Sequence, residues 1–451
     1  MHTTNEAKTA AALAILYTFR MLGLFMVAPV LVVYGAIYSG ATPELLGLAL
    51  GVSGFTQALL LIPMGLLSDK FGRKKVIALG FILFAIGSLV AALSTSIEGL
   101  IIGRGLQGAG AVGGAILALV ADLICEQNRS KAMAAVGASI GLSFMLAMIM
   151  GPIVAGIGGL AAIFGLALAL ALIAVGVLYA LVPQPRQTVN DTRTLPTLFR
   201  SLLVNRNLAK LNFGIFALHV IFTGSFMVLP SMLQSILNLP VARHWVVYIP
   251  VLLLAFIMML PLMMAAEKRN WIKPMFLTAV AALAVAVAGL GFVGDNAVAL
   301  LLLVFVFFLA FNLLEASLPS LISKLAPVGA KGTVMGIFTT SQSLGIFAGG
   351  LGGGILLHKF GQQGVWLGEL AIVAIWFFFI LFMSAPQKWV NHRIVVPNGV
   401  GTVFMEKINL AAVNGVEQVH FVQEESALYL KVDQSRLDDA AFARLIDSLR
   451  S

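Results

Sequence analysis

Twelve times in its first 383 residues the sequence runs through a long apolar stretch with few or no charges. Each is close to the ~20 residues that a helix needs to cross ~30 Å of hydrocarbon. The stretches lie near 10–35, 44–67, 76–94, 99–122, 131–156 and 161–181, then near 209–236, 243–266, 273–293, 297–323, 330–358 and 363–383. Backbone groups in lipid must find their partners inside the protein, which leaves helices and closed barrels as the options. Runs of this length favour helices, so the expected fold is an all-α membrane protein. The composition agrees: 60% of the 451 residues are apolar and 10% charged, where a soluble domain carries about 25% charge. The 45 glycines suit helices that pack closely in a bilayer. The first run has no small-residue cleavage site after a short apolar core, so it reads as a retained anchor.

The same inventory excludes several functions. A single cysteine, Cys125, forbids an intrachain disulfide and a cysteine-held metal cluster, and no cofactor or metal site is expected. The net charge of +9 is spread between the apolar runs rather than gathered into a patch, so no nucleic-acid partner is expected. The lipid bilayer is the expected surrounding.

Basic residues set the orientation. With the N-terminus inside, the internal loops and the middle loop hold sixteen Lys and Arg residues, among them Lys70, Arg73, Lys74 and Lys75, against Arg243 and Lys359 outside. Both termini are therefore expected in the cytoplasm of a cell whose inner (plasma) membrane the chain crosses. Residues 1–181 and 209–385 form two six-span bundles, as in secondary carriers with internal repeats. Between them, 182–208 is polar, with Pro183, Pro185 and Pro196; Leu195, Leu198, Phe199, Leu202 and Leu203 at helical spacing suggest an amphipathic interfacial helix or an ordinary linker helix.

The composition changes beyond Pro386. Residues 393–451 carry six basic and eight acidic side chains, and alternate like strands at Ile394-Val395-Val396, Val419-His420-Phe421 and 428–432. Phe404 and Ile408, then Phe442, Leu445, Ile446 and Leu449, follow helical spacing. That order gives 386–451 as a small α+β cytoplasmic domain, ferredoxin-like without its last strand. It is expected to meet a cytoplasmic partner or the rest of the chain. Metal chaperones of this strand order carry Cys-x-x-Cys where this chain reads Pro397-Asn398-Gly399-Val400-Gly401. A soft metal needs thiolates, so the tail is not a copper site.

Between the second and third runs stands Gly65-Leu66-Leu67-Ser68-Asp69-Lys70-Phe71-Gly72-Arg73-Lys74-Lys75. It resembles the signature loop of the major facilitator superfamily, Gly-x-Leu-x-Asp-x-x-Gly-Arg-Lys, in the place where that family carries it. The resemblance implies a major facilitator fold, a small-molecule substrate moved by alternating access, and a gate. In that gate Gly65, Asp69, Gly72, Arg73 and Lys74, with Asp122, lock the two bundles together at the cytoplasmic end when the other end is open. The chemistry fits: Gly65 leaves room for a neighbouring helix, and Asp69 faces the start of the eleventh run near Gly332, where a positive helix end favours a carboxylate. Arg73 is expected to reach Asp122. Two further stretches support the resemblance. Arg104-Gly105-Leu106-Gln107-Gly108 resembles the family's Arg-x-x-Gln-Gly pattern, associated with proton coupling. Gly151-Pro152, with Gly137, Gly141 and Gly156, resembles the glycine-rich motif of the drug:proton antiporter branch, with Ala138 and Ala147 standing where that motif has glycine; helix packing alone also accounts for these glycines.

Ionisable residues inside a span are costly and mark function. Arg20, Arg104, His219 and Glu315 are the deep ones in this reading. Glu315 is the expected proton carrier, paired in one conformation with Arg20 or Arg104 and released in the other; a fixed ion pair or hydrogen bond is the structural alternative. Arg104 and His219 join it as proton-coupling residues, although a lone histidine in a span also serves as a packing residue. Arg20, Gln57, Gln107, Asn312 and Gln342 are expected to line a central cavity among Met and Phe side chains, suited to a lipophilic solute. The function expected is proton-coupled efflux. Uptake by a symporter or facilitator is the alternative within transport, and a membrane sensor signalling through the tail is the alternative from another class. No nucleophile–base pair, phosphate loop or metal cluster speaks for an enzyme.

Overall fold

In a computed structural model of the protein, the structure describes residues 2–184, 202 and 204–382, apart from 270 and 327–330. Beyond 388 it describes three strands and residues 414, 437, 438 and 442. The first half holds α1 (His2–Phe25), α2 (Leu31–Gly35), α3 (Pro43–Phe71), α4 (Arg73–Leu93), α5 (Ile97–Ala109), α6 (Gly113–Leu123) and α7 (Glu126–Leu181). The second holds α8 (Arg206–Ser225), α9 (Leu229–Leu237), α10 (Trp245–Lys268), α11 (Ile272–Phe292), α12 (Ala297–Leu325) and α13 (Lys331–Leu381).

Ten helical stretches among the described residues are long and apolar enough to cross a membrane. Two of them are double. With 56 and 51 residues, α7 and α13 would each exceed about 75 Å if straight, more than twice the hydrocarbon thickness. Each is two helices joined at glycine: α7 at Gly158 and Gly159 (φ 62°), α13 at Gly361 (φ 67°). A positive φ costs glycine little and other residues much. The crossings thus number twelve, as the apolar runs suggest.

Three runs that read as continuous helices are broken. The first stops between α1 and α2, the fourth between α5 and α6, the seventh between α8 and α9. At two of the breaks the sequence repeats itself: Phe25-Met26-Val27-Ala28-Pro29 and Phe226-Met227-Val228-Leu229-Pro230 stand 201 positions apart. A proline contributes no N–H to the helix ladder and so weakens it there, and its recurrence marks the two halves as copies of one plan. Helix starts are fixed by caps. Thr42 Oγ1 accepts from the Leu45 N–H, Ser96 Oγ from Gly99, Asn205 Oδ1 from Leu208 and Asn296 Oδ1 from Ala299, meeting donors that the first turn leaves free.

The halves meet along α3 and α13. Gly47, Gly51 and Gly54 face Gly350, Phe347 and Ser343, and Gly354 faces Pro43; a Cβ added at Gly51 would lie 2.8 Å from the Phe347 carbonyl oxygen. Such contact needs glycine on the seam. Toward the signature loop the seam opens. A Cβ at Gly65, Gly332 or Gly336 would meet nothing within 4 Å.

In the tail, β1 (Trp389–Val395), β2 (Val416–Val422) and β3 (Ala427–Asp433) form an antiparallel sheet in the order β1-β3-β2. Val390 stands opposite Val432, and Val419 opposite Leu430. The helices expected around Phe404 and Ile408 and at 445–449, and most of the linker 182–208, lie outside the described residues.

Candidate functional site

The signature loop turns between α3 and α4 on one residue. Gly72 has φ 97° and ψ 135° and ends one helix while starting the next, a conformation that suits glycine alone. The turn brings the loop's charges together. Arg73 pairs with Asp69 one helical turn before it. Its Nε donates to Asp122 Oδ2 at 3.0 Å and its Nη1 to Ser68 Oγ at 2.7 Å. Lys74 turns inward instead: 5% exposed, it donates to the Val182 carbonyl at 2.7 Å and lies over the Tyr179 ring. It thereby ties α4 to the end of α7. The start of α13, where Asp69 is expected to find a partner, adjoins residues 327–330, which lie outside the described ones. Among the described residues, no hydrogen bond or ion pair joins this loop to the second half, and a Cβ on Gly65 would meet nothing within 4 Å.

Midway along the spans lie two polar clusters. In the first half, Arg104 is 3% exposed and donates to the Ala49 carbonyl (3.2 Å), Ser53 Oγ (3.0 Å) and Gln107 Oε1 (2.8 Å). Gln107, fully buried, passes its amide on to Ser88 Oγ at 2.8 Å. Both residues are spent on binding α5 to α3 and α4. Gln107 therefore faces a helix interface and not a cavity, and Arg104 does not stand beside Glu315. Arg20 donates to the Gly110 carbonyl at 3.2 Å and to Gln57 Oε1 at 2.6 Å, so it anchors α1 on the break between α5 and α6.

The second cluster joins three of the expected residues. Gln342 Nε2 on α13 donates to Glu315 Oε1 on α12 at 3.1 Å and stands 2.9 Å from His219 Nε2 on α8. His219 Nδ1 lies 3.1 Å from the Ile215 carbonyl, which can only accept, so the ring proton is on Nδ1 and Nε2 accepts from Gln342. Glu315 Oε2 is buried without a hydrogen-bond partner, 3.8 Å from His219 Nε2. The Glu315 side chain as a whole keeps 28% exposure, so it borders open space although Oε2 is buried. Asn312, one turn earlier on α12, is half-buried on the same side.

Gly151 packs on the break after α1: a Cβ there would meet Pro29 at 3.1 Å and the Met26 carbonyl at 2.5 Å. Pro152 follows inside α7. Gly156 meets Ala242 of the second half, while Gly137 and Gly141 face no neighbour.

A sequence profile of the Major Facilitator Superfamily matches residues 13–350. The chain belongs to this family. It is accordingly a multi-pass membrane transporter and not an enzyme. The inner membrane transport protein YajR of Escherichia coli (strain K12) is 40% identical over 433 residues, 96% of this chain and 95% of that protein. An uncharacterized transporter of Buchnera aphidicola subsp. Baizongia pistaciae (strain Bp) is 33% identical over 380 residues, 83% of this chain and 96% of its own. Among solved structures, a bacterial homologue of the human lysosomal transporter Spinster, in an inward-facing and unoccupied conformation, superposes with a TM-score of 0.68 at 15% identity. That match covers 84% of this chain and 98% of the other. A D-xylose–proton symporter gives 0.68 at 15% identity over 86% and 99%. These likenesses establish the major facilitator fold.

Within that fold, three features stand out that sequence reasoning passed over. Glu369, 3% exposed on α13, accepts from Ser225 Oγ at 2.8 Å at the break after α8; a lone acid in an apolar run was the available signal. Ser343, fully buried, accepts from Gln57 Nε2 at 2.9 Å. Glu44 Oε2 and His358 Nδ1 are 2.9 Å apart at the end of the seam far from the loop. The last two pairs cross between the halves.

Proposed function

We propose that this facilitator is a proton-coupled carrier that exports a small, lipophilic solute across the inner membrane by alternating access. The observation that carries the reading is the Glu315–Gln342–His219 cluster. It sets a carboxyl with one unpartnered oxygen beside an imidazole, both in the thickness of the membrane and one of them bordering open space. A carboxyl so placed can take a proton from one side and, after the halves rock, release it to the other.

With the sixteen basic residues in the cytoplasm, the signature loop marks the cytoplasmic end, and the open seam beside it makes this conformation open to the inside. Asp69, Arg73 and Asp122 then form a gate at rest within the first half, ready to meet α13 when the inner end closes. Asn312 and Gln342 line the solute path, and Arg20 and Gln57 bound it on the first half. Residues 1–181 and 209–385 are the two rocking bundles. The order β1-β3-β2, antiparallel throughout, supports a ferredoxin-like cytoplasmic domain over 386–451. Export is the direction favoured by the resemblance of Gly151-Pro152 to the antiporter branch's motif; Gly151 packs on the break after α1.

Purified protein in liposomes, with a pH-sensitive dye inside and a panel of lipophilic compounds outside, tests this. Solute flux should acidify or alkalinise the lumen in step with transport, and Glu315→Gln should abolish gradient-driven transport while sparing solute exchange. A Gln variant that still couples flux to the gradient would place the proton elsewhere.

A further inference from the structure

Two consecutive residues of α13 serve two different networks. Gln342 clamps Glu315 and His219 within the second half. Ser343 takes the Gln57 amide from the first half. Neighbours in sequence point about 100° apart around a helix, so this one turn faces both ways at once. On the far side of the link nothing is loose. Gln57 Oε1 is held by Arg20 Nη2 at 2.6 Å, and Arg20 Nε is held by the Gly110 carbonyl.

We infer that the Arg20–Gln57–Ser343 bridge couples the proton site to the far-end seam, with Gln57 and Ser343 as positioning residues for the transport cycle. This rests on the reading of Glu315 and His219 as the proton site. The seam around the bridge is made of glycine contacts that close and part with little directional preference. A hydrogen bond is directional, so the bridge fixes the register of α13 against α3 in a way the glycines do not. Opening the far end must break it, because Gly51 and Gly54 lie on the same stretch of α3 as Gln57. The proton site acts on the same turn of α13. A proton on Glu315 Oε2 leaves the Gln342 bond to Oε1 intact. A proton on His219 Nε2 turns that acceptor into a donor, and the Gln342 amide must rotate to present its oxygen. Moving the proton between the two groups therefore flips the Gln342 amide and removes its bond to Glu315, which loosens α13 from α12 at the turn that carries Ser343. Among the described residues, the ionisable groups that bear on this turn are Arg20 from α1, with Tyr17 beside it, Glu315 from α12 and His219 from α8; Arg104 from α5 is turned to the α3 carbonyls.

The test follows the far end directly and needs no solute, since protons are the probe. Spin labels at Ile37 and Phe360, both exposed and in opposite halves, report the far-end distance in the full-length protein in nanodiscs, with Cys125 replaced by serine. In otherwise wild-type protein the far-end-open fraction should change across a pH titration. Ser343→Ala and Gln57→Leu should each raise that fraction about threefold and flatten its response to pH, and the double variant should be no worse than either single. Glu315→Gln should flatten the response without the uniform rise. If Ser343→Ala titrates with wild-type amplitude while Glu315→Gln is flat, the bridge is wrong and the proton site stands. If Glu315→Gln titrates like wild type, the proton site itself is wrong, and an unresponsive wild type would overturn both. Equal loss of thermal stability in Gln57→Leu and the double variant, with an unaltered titration, would leave the bridge a packing contact.

Discussion

The two halves of this facilitator bury opposite charges. The first buries Arg20 and Arg104, at 2% and 3% exposure, with guanidinium groups satisfied by main-chain carbonyls, Ser53, Gln57 and Gln107. The second buries Glu369 fully and Glu315 in part, each with one carboxyl oxygen that lacks a hydrogen-bond partner, and His219 beside the latter. The difference is chemical. An arginine does not give up its proton under physiological conditions, so it can only be built in, and its many donors brace the helices around it. A carboxyl or an imidazole changes state, and an incomplete set of partners leaves room for the change. The first half is therefore the braced frame, and the second holds the groups that the proposed proton coupling needs.

The largest effect should come from breaking the brace. Arg104→Ala strands the Gln107 carbonyl oxygen and removes the donors that reach Ala49 and Ser53, a loss on the order of 2–4 kcal/mol. The yield of monodisperse protein and its thermal midpoint in detergent should both drop. Arg104→Lys, a compact cation with three donors, should fall between. Glu315→Gln, which exchanges one neutral-capable group for another, should leave the midpoint near wild type while abolishing gradient-driven transport. If Arg104→Ala melts like wild type, the frame is not braced at this point.

Next in size are the loop charges. Arg73 has two carboxylate partners, Asp69 and Asp122, and Arg73→Ala leaves both of them uncompensated. If the proposed gate, in which these groups meet α13 when the inner end closes, is right, transport should fall about tenfold in Arg73→Ala and less in Asp69→Asn, with membrane abundance unchanged. Wild-type rates at equal abundance would remove the gate from the mechanism.

The contacts inside the loop are legible in its sequence, and those of Arg104 are not. The loop's residues are tied to a short turn that Gly72 makes at positive φ, so sequence order translates directly into proximity. Apolar runs likewise declare their number by length alone. Inside a span that is apolar all round, no amphipathic stripe says which face a polar residue occupies. Polarity in lipid alone suggests a proton residue in Arg104 and a cavity residue in Gln107; three residues apart on one face, they serve each other and the adjacent helices. Glu315, Gln342 and His219 come from three different helices, and their meeting depends on packing that one sequence does not display. Two of the three helix breaks are legible in principle, since Phe-Met-Val-x-Pro occurs in both halves, an internal repeat of the kind that betrays duplicated architecture.

Glu369 sharpens the comparison within the second half. It is 3% exposed, where the Glu315 side chain borders open space, and its bonded oxygen is held by Ser225 at the break after α8. A sealed carboxyl has no route for proton exchange in this conformation. Glu369→Gln should therefore keep gradient coupling and change turnover by no more than about threefold, an effect of hinge packing. The same liposome assay decides: loss of coupling equal to that of Glu315→Gln would give the second half two working proton sites.

The smallest effect should come from the pair that joins the halves at the surface. Glu44 and His358, at 30% and 53% side-chain exposure, close the seam at its far end, four residues beyond the last glycine contact on α13. Their link is a hydrogen bond when the imidazole is neutral and an ion pair when it is protonated, and in either state water competes for both partners. Exposed pairs of this kind contribute little and are screened by salt. Glu44→Gln should raise the far-end-open fraction, read from the same label pair, by about twofold at low ionic strength, and the difference from wild type should shrink as salt is added. The Gln57–Ser343 bridge, sealed from solvent at its Ser343 end, should show no such salt dependence. If Glu44→Gln instead matches Ser343→Ala in size and ignores salt, the far end is held at its rim and not at the buried turn of α13. The division between a braced first half and a responsive second half would then have to be redrawn along the seam.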